Sequence, residues 1–148
     1  MKAILQRVLE SHITVDGSEV ARIGHGLLLL LGISHTDTEE TADKLIQKIA
    51  KLRMFADAEG KTNRSITDVG GELLVVSQFT LYADTRKGNR PSFTLAAPPD
   101  MAQALYHYVV EQCQHQFAKV EQGIFGADMK VSLVNDGPFT IEVVCESE

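Results

Sequence analysis

A chain of 148 residues with 44% hydrophobic and 23% charged side chains has the composition of one globular domain, long enough to bury a core. No apolar run reaches the roughly 18 residues a membrane span needs; the longest, 26–33 around the leucines Leu27–Leu31, is far shorter. A formal net charge of −6 argues against a broad phosphate-binding surface, because Lys and Arg supply most of the affinity for nucleic acid, and leaves room for a local basic patch.

Residues 1–9 read as a first strand and lack the charged, apolar and small-residue succession of a signal peptide, so the expected compartment is the cytoplasm. Ile13 and Val15, then Val20 and Ile23, flank Asp16-Gly17, a strong hairpin signal. The leucine block predicts a buried strand over 26–34. Asp37 is the expected cap of a first helix, with Glu40 placed to complete a capping box, and Ala42, Leu45, Ile46, Ile49 and Leu52 form its core-facing stripe. Residues 57–71 are mixed and polar, with Asn63, Arg64 and Ser65 in a loop or short strand. Leu73-Leu74-Val75-Val76 follows Gly70-Gly71 as a buried strand and turns polar at Ser77 and Gln78. Residues 82–97 are irregular, and loops of that length often carry function. Pro98-Pro99-Asp100 opens a second helix with an apolar stripe of Met101, Leu105, Tyr108, Val109, Cys113 and Phe117. Met129, Val131 and Leu133, then Phe139, Ile141 and Val143, alternate as two strands, with Gly137-Pro138 between them as a turn. No repeat or linker interrupts the chain. The pattern predicts one α+β domain over 1–148 with a mixed or antiparallel sheet and two main helices.

Cys113 and Cys145 show no C-x-x-C spacing and read as free thiols. The histidines are scattered, and His107 and His115 fall on one solvated face of the second helix, so neither a metal nor a cofactor is expected. Arg86-Lys87-Gly88-Asn89-Arg90 places three cations in five residues and is the obvious basic patch, which Lys51, Arg53, Lys61 and Arg64 would extend. Polar residues at the mouth of a buried strand must find partners or face a pocket, which draws attention to Ser77-Gln78-Phe79-Thr80-Leu81. A Gly-Pro step, which permits close backbone approach, draws it equally to Asn135-Asp136-Gly137-Pro138-Phe139-Thr140.

Together these two stretches resemble the signature pair of the D-aminoacyl-tRNA deacylase family, S-Q-F-T-L and N-x-G-P-[VFT]-T. The resemblance extends to Met1-Lys2-Ala3-Ile4-Leu5-Gln6-Arg7-Val8, Lys87-Gly88-Asn89-Arg90-Pro91-Ser92-Phe93 and Phe125-Gly126-Ala127-Asp128-Met129. Phe139 departs from the valine more common there and affects packing more than chemistry. The resemblance implies a β-barrel-like sheet wrapped by helices, built as a homodimer with active sites at the subunit interface. It implies hydrolysis of the ester joining a D-amino acid to the 3′ end of tRNA, with no membrane partner.

Ester hydrolysis needs an activated nucleophile, oxyanion stabilisation and positioning. No G-x-S-x-G elbow or Cys–His pairing is present, and no base is identifiable for the hydroxyls of Ser77 or Thr80. Two mechanisms therefore compete: attack by Thr80 or Ser77, or a ribose 2′-hydroxyl assisting water while the backbone N–H groups of Phe79 and Thr80 hold the oxyanion. The resemblance favours the second. It also implies that Gly137-Pro138 is cis, enters the other subunit's active site, and holds the substrate amino group with carbonyl oxygens that exclude every L side chain. Glycine, having no side chain, would not be fully excluded. By the same resemblance Arg7 fixes the Gly-Pro loop, Gln78 positions the substrate and Met129 lines the pocket. Two other classes remain open: a nucleic-acid-binding module without turnover, and a general esterase using Thr80 on small D-amino acid esters.

Overall fold

The computed structural model describes Met1–Ser147. Its organising element is β1 (Lys2–Val15), longer than the strand expected over 1–9. The turn at Asp16-Gly17 has positive φ at both residues, 50° and 79°, and sends the chain back as β2 (Ser18–Ile23), as the hairpin signal required. β3 (Gly26–Gly32) then pairs antiparallel with the first half of β1 and ends earlier than residue 34. β6 (Glu72–Ser77) lies parallel to β3, and β7 (Lys119–Gln122), which no alternation announced, lies parallel to β6. The strand order is β2-β1-β3-β6-β7, with β8 (Lys130–Val144) along the other edge of β1. The sheet is mixed and curls until β2 approaches β7, giving a nearly closed barrel-like form.

The curl explains the leucine block. Leu27, Leu29 and Leu31 point to one face, with Leu73, Val75 and the helices; Leu28 points to the other with Val8, Ile13, Ile23, Leu74 and Val76. A strand buried on both faces reads as a continuous apolar run rather than an alternation. Gly26 is required where β3 meets β6, since a Cβ there would sit 1.8 Å from the Glu72 carbonyl oxygen.

α1 (Glu39–Lys51) buries the predicted stripe from Ala42 to Ile49, with Leu52 packed at its end. Its cap, however, is Thr38, in a capping box with Thr41 rather than Glu40. Asp37 is unavailable for capping. Its buried carboxylate accepts the Met1 ammonium at 2.7 Å and the Ser34 N–H at 2.7 Å, so it ties the chain start to the loop after β3. The polar segment forms a small hairpin, β4 (Arg53–Ala56) with β5 (Thr62–Ser65), followed by a single helical turn, α2 (Ile66–Val69).

α3 (Pro99–Gln116) starts with proline at its first turn, where the missing N–H is not needed. Its stripe is shifted from the expected one: Tyr106 is fully buried, whereas Met101 and Tyr108 are half-buried. The Tyr106 hydroxyl donates to the Val75 carbonyl at 2.9 Å and lies 3.3 Å from the Gly123 carbonyl, which makes burial of a phenol affordable. Tyr108 instead reaches Asp43 on α1 at 2.8 Å.

Two of the buried acids make the fold sensitive to alkali. Burial pushes the Cys113 thiol from 9.0 up to about 12 and raises the Tyr106 phenol as well. The unfolded chain therefore releases these protons first, and the stability they contribute is complete below about pH 9 and lost as pH rises toward 12. Urea midpoints should fall steadily from pH 8.5 to pH 11 and fall less in Cys113→Ala; midpoints independent of pH would contradict this.

Candidate active site

The last strand is where the structure departs most from expectation. Gly137-Pro138 does not turn the chain between two strands. β8 is one continuous strand against β1, and the step is an excursion within it. Gln6 pairs with Thr140 and Val8 with Asn135, so the four residues 136–139 stand opposite Arg7 alone. A bulge of this size leaves backbone groups unpaired, and neighbouring side chains satisfy them. Asn135 Nδ2 donates to the carbonyls of Arg7 at 2.9 Å and Phe139 at 3.0 Å. Arg7 Nε donates to the Asp136 carbonyl at 3.1 Å, and Nη1 donates to the Met54 carbonyl on β4 at 2.8 Å. The guanidinium also lies 4.6 Å from the centre of the Phe139 ring and 3.5 Å from the Asp136 carboxylate. The larger side chain at 139 is thus the platform beneath Arg7. The Gly137–Pro138 bond is cis, Gly137 has φ 138°, and both residues are exposed.

The other signature stretch closes a different feature. β6 ends at Ser77, the Gln78 N–H donates to the Leu31 carbonyl at 2.7 Å, and a single 3-10 turn follows over Phe79–Tyr82. The Leu81 N–H bonds back to the Gln78 carbonyl at 3.2 Å. The N–H groups of Phe79 and Thr80 precede it at the head of the turn, with no carbonyl in the turn to receive them. Gln78 Nε2 donates to the Thr80 hydroxyl, an amide donor rather than a base. Among the described residues no carboxylate or imidazole is hydrogen-bonded to Ser77 or Thr80 Oγ.

Ser77, Gln78 and Phe79 line a cavity of about 720 Å³ together with Met129, Phe93 and Phe125. Its walls are mostly apolar, and Asp128, paired with Lys130 at 3.0 Å, is its one ionisable lining residue. Phe79 and Phe93 meet edge to face at its rim, with ring centres 5.1 Å apart, and both are well exposed. Thr80, Arg7, Gly137 and Pro138 do not line it. One chain therefore carries two groupings: Ser77, Gln78, Phe79 and Met129 around the cavity, and Arg7, Gly137 and Pro138 around the bulge.

Sequence reasoning named Asn135 within the signature stretch but gave it no role; its position two before the Gly-Pro step was the available signal. It passed over the aromatic pair, which unites residues 14 apart in sequence. Lys51, Arg53, Lys61 and Arg64 belong to the end of α1 and the β4–β5 hairpin, and none lines the cavity. Among the described residues no three His, Cys, Asp or Glu side chains converge as a metal site needs. No helix is long and apolar enough to cross a membrane.

A sequence profile for D-Tyr-tRNA(Tyr) deacylase matches residues 4–144. The chain is 54% identical over 143 residues to a D-aminoacyl-tRNA deacylase of Chloroflexus aurantiacus, spanning 97% of this chain and 89% of that one. It is 51% identical over 146 residues to the D-aminoacyl-tRNA deacylase of Desulfitobacterium hafniense, spanning 99% and 98%. Among solved structures, the c-Myc DNA Unwinding Element Binding Protein superposes with a TM-score of 0.95 at 41% identity, over 99% of this chain and 100% of that one. A probable eukaryotic D-amino acid tRNA deacylase superposes at 0.81 over 96% and 97%, and at 19% identity it attests to the fold.

The bulge geometry yields a direct expectation. Lysine carries a point charge and cannot reproduce the guanidinium's separate bonds to Asp136 and Met54. Arg7→Lys should cost about 1–3 kcal/mol. Amide exchange should accelerate at Gly137 and Phe139 while Leu74 and Val75 stay protected; unchanged exchange in the bulge would remove Arg7 from its support.

Proposed function

This chain belongs to the D-Tyr-tRNA(Tyr) deacylase family, and on that premise we propose that it hydrolyses D-aminoacyl-tRNA, releasing the free D-amino acid and tRNA while sparing the L-aminoacyl ester. It is an ester hydrolase, as its curated relatives are. Its place is the cytoplasm, where charged tRNA is found, and the whole chain 1–148 acts as one catalytic domain.

The observation that carries the reading is the separation of the two signature groupings. The cavity holds Ser77, Gln78, Phe79 and Met129 but lacks the Gly-Pro bulge, and the bulge is exposed and braced by Arg7. A homodimer in which each bulge enters the partner's cavity joins them. The carbonyl oxygens of Gly137 and Pro138 then receive the substrate ammonium, and the backbone stands where an L side chain would lie. A backbone wall is indifferent to side-chain type, so it passes all D substrates. Glycyl-tRNA, having no side chain to exclude, is hydrolysed too. Such steric exclusion discriminates better than a pocket sorting side chains by small apolar differences.

The chemistry follows from the 3-10 turn. Water adds to the ester carbonyl, assisted by the adjacent ribose 2′-hydroxyl. The Phe79 and Thr80 N–H groups hold the developing oxyanion, and the C–O bond to the ribose breaks, returning the proton to the 3′-oxygen. The Thr80 hydroxyl, which accepts from Gln78, is a scaffold for the turn rather than a nucleophile, in keeping with the lack of a base beside it. The Phe79–Phe93 pair offers the terminal base a face to stack on.

The deciding experiment is deacylation of matched D- and L-tyrosyl-tRNA. The wild type should turn over the D ester and spare the L ester. Thr80→Ala should stay within a few-fold of wild type in kcat. Phe79→Pro, tolerated at the first position of a turn but lacking the N–H, should lose about 10²–10³ in kcat. Phe79→Ala, which keeps the N–H, should raise KM instead. Loss of D turnover in Thr80→Ala would return the chemistry to that hydroxyl.

Shared sites make a second prediction. Mixed dimers of a Phe79→Pro subunit with a Gly137→Ala subunit have one site with both lesions and one with neither. They should recover about half of wild-type dimer activity, although each parent is inactive. No recovery would place bulge and cavity outside a common site. The kinship with a DNA unwinding element binding protein favours nucleic-acid binding without turnover as the second reading. That reading gains if neither ester is cleaved while tRNA is bound.

A further inference from the structure

The loop between the 3-10 turn and α3 is rooted at the cavity rim on both sides. Its first stem leaves the turn that begins at cavity-lining Phe79, and its second stem re-enters at cavity-lining Phe93. Asp84 and Ser92 close it through reciprocal backbone bonds of 2.7 Å and 3.0 Å. What stands above this closure is the cationic stretch of residues 86–90.

The three cations there are not equivalent. Arg86 is committed to the loop itself: Nε and Nη2 hold the Asp84 carboxylate at 2.9 Å and 2.7 Å, and the Arg86 N–H reaches the same carboxylate at 3.1 Å. These bonds hold the Asp84 carboxyl down at about 2, so the staple persists at any physiological pH. Lys87 and Arg90 are exposed and have no ion-pair partner among the described residues. Gly88, at φ 67° with open space around it, lets the loop reverse between them. On a chain of net charge −6, these two unpaired cations sit on a stapled loop rooted at the rim of a cavity whose one ionisable lining residue, Asp128, is already paired with Lys130.

We propose that Lys87 and Arg90 bind the phosphodiesters of the single-stranded tRNA 3′ end, just 5′ of the nucleoside whose ester enters the cavity. Arg86 is the internal staple and makes no phosphate contact. The inference rests on the deacylase reading and adds to it the means by which an acidic protein grips a polyanion. Arg90 presents a planar fork suited to two phosphate oxygens, and Lys87 a movable point charge. Two contacts of this kind give salt-sensitive, readily reversible binding, as turnover requires.

The test compares D-tyrosyl-tRNA with 3′-O-D-tyrosyl-adenosine, which keeps the ester, the base and the 2′-hydroxyl but has no phosphate. In the double variant Lys87→Ala/Arg90→Ala, KM for the tRNA ester should rise about tenfold or more at 0.1 M salt, with kcat held. The slope of log KM against log salt should fall by about 1.4, two single-strand contacts' worth. Kinetics on the adenosine ester should not change. Arg90→Lys, restoring charge in the Lys87→Ala background, should recover about half of the lost slope. An unchanged KM and slope on tRNA would overturn the proposal. So would an equal loss on both substrates, because it would make the loop a support for the cavity. Failure of the wild type to cleave either ester would be a different result, removing the deacylase reading and this proposal with it.

Discussion

The ladder between β1 and β8 is the constraint on which the rest depends. It joins the first and last strands over nearly their full length, from Lys2 opposite Val144 to Thr14 opposite Lys130. Because β1 also carries β3 on its first half and β2 on its second, it fixes the curl of the whole sheet. Closing the ends of a chain this way is entropically costly and pays back only through a long, cooperative row of bonds and the apolar faces behind it. The register shifts twice in that row; the smaller shift leaves Leu9 without a partner, and the larger, opposite Arg7, is the Gly-Pro excursion.

That interruption is held rather than tolerated. Asn135 and Arg7 satisfy the carbonyls freed by the bulge, Arg7 extends the brace to β4, and Phe139 supports the guanidinium from below. In the proposed role of a steric wall such a loop has to be stiff to within a fraction of a side chain's width, because a wall that yields would admit the wrong enantiomer. The cavity is built on the opposite principle. Its polar groups sit at the end of a rigid parallel strand, its lining is apolar, and the N–H groups it offers belong to the first residues of a turn. Pre-oriented dipoles in such a setting need no reorganisation during reaction.

Charge is distributed in the same economical way. The cations Arg7, Arg22 and Arg86 each serve an internal contact, with Asp136, Glu19 and Asp84 respectively. By contrast Lys87 and Arg90, on the loop rooted at the cavity rim, have no ion-pair partner among the described residues. Aromatic rim and basic loop are adjacent because Phe93 follows the residue that closes the loop.

Much was legible in the residues themselves. The hairpin at Asp16-Gly17, the buried leucine strand, the stripe of α1 and the onset of α3 are all governed by local backbone preference or by periodicity, and they stand where those rules place them. So does the stretch from Ser77 to Phe79, since a buried strand that turns polar has to open onto something. What local rules could not supply came from competition between distant groups. Asp37 has the chemistry of a helix cap, but the Met1 ammonium and the Ser34 N–H claim its carboxylate, so capping passes to Thr38. Tyr106 is buried in place of Tyr108 because carbonyls of β6 and Gly123 are there to receive its hydroxyl. Gly-Pro has the chemistry of a turn, but β1 continues past it on the other side of the ladder, and the long-range pairing turns a reversal into a bulge. Sequence by itself determined the first hairpin, the central buried strands, the two main helices, the signature residues and the absence of an obvious side-chain nucleophile. Tertiary structure alone decided that those residues form two separate groupings, because pairing between strands more than a hundred residues apart is set by the whole sheet and not by any neighbour along the chain.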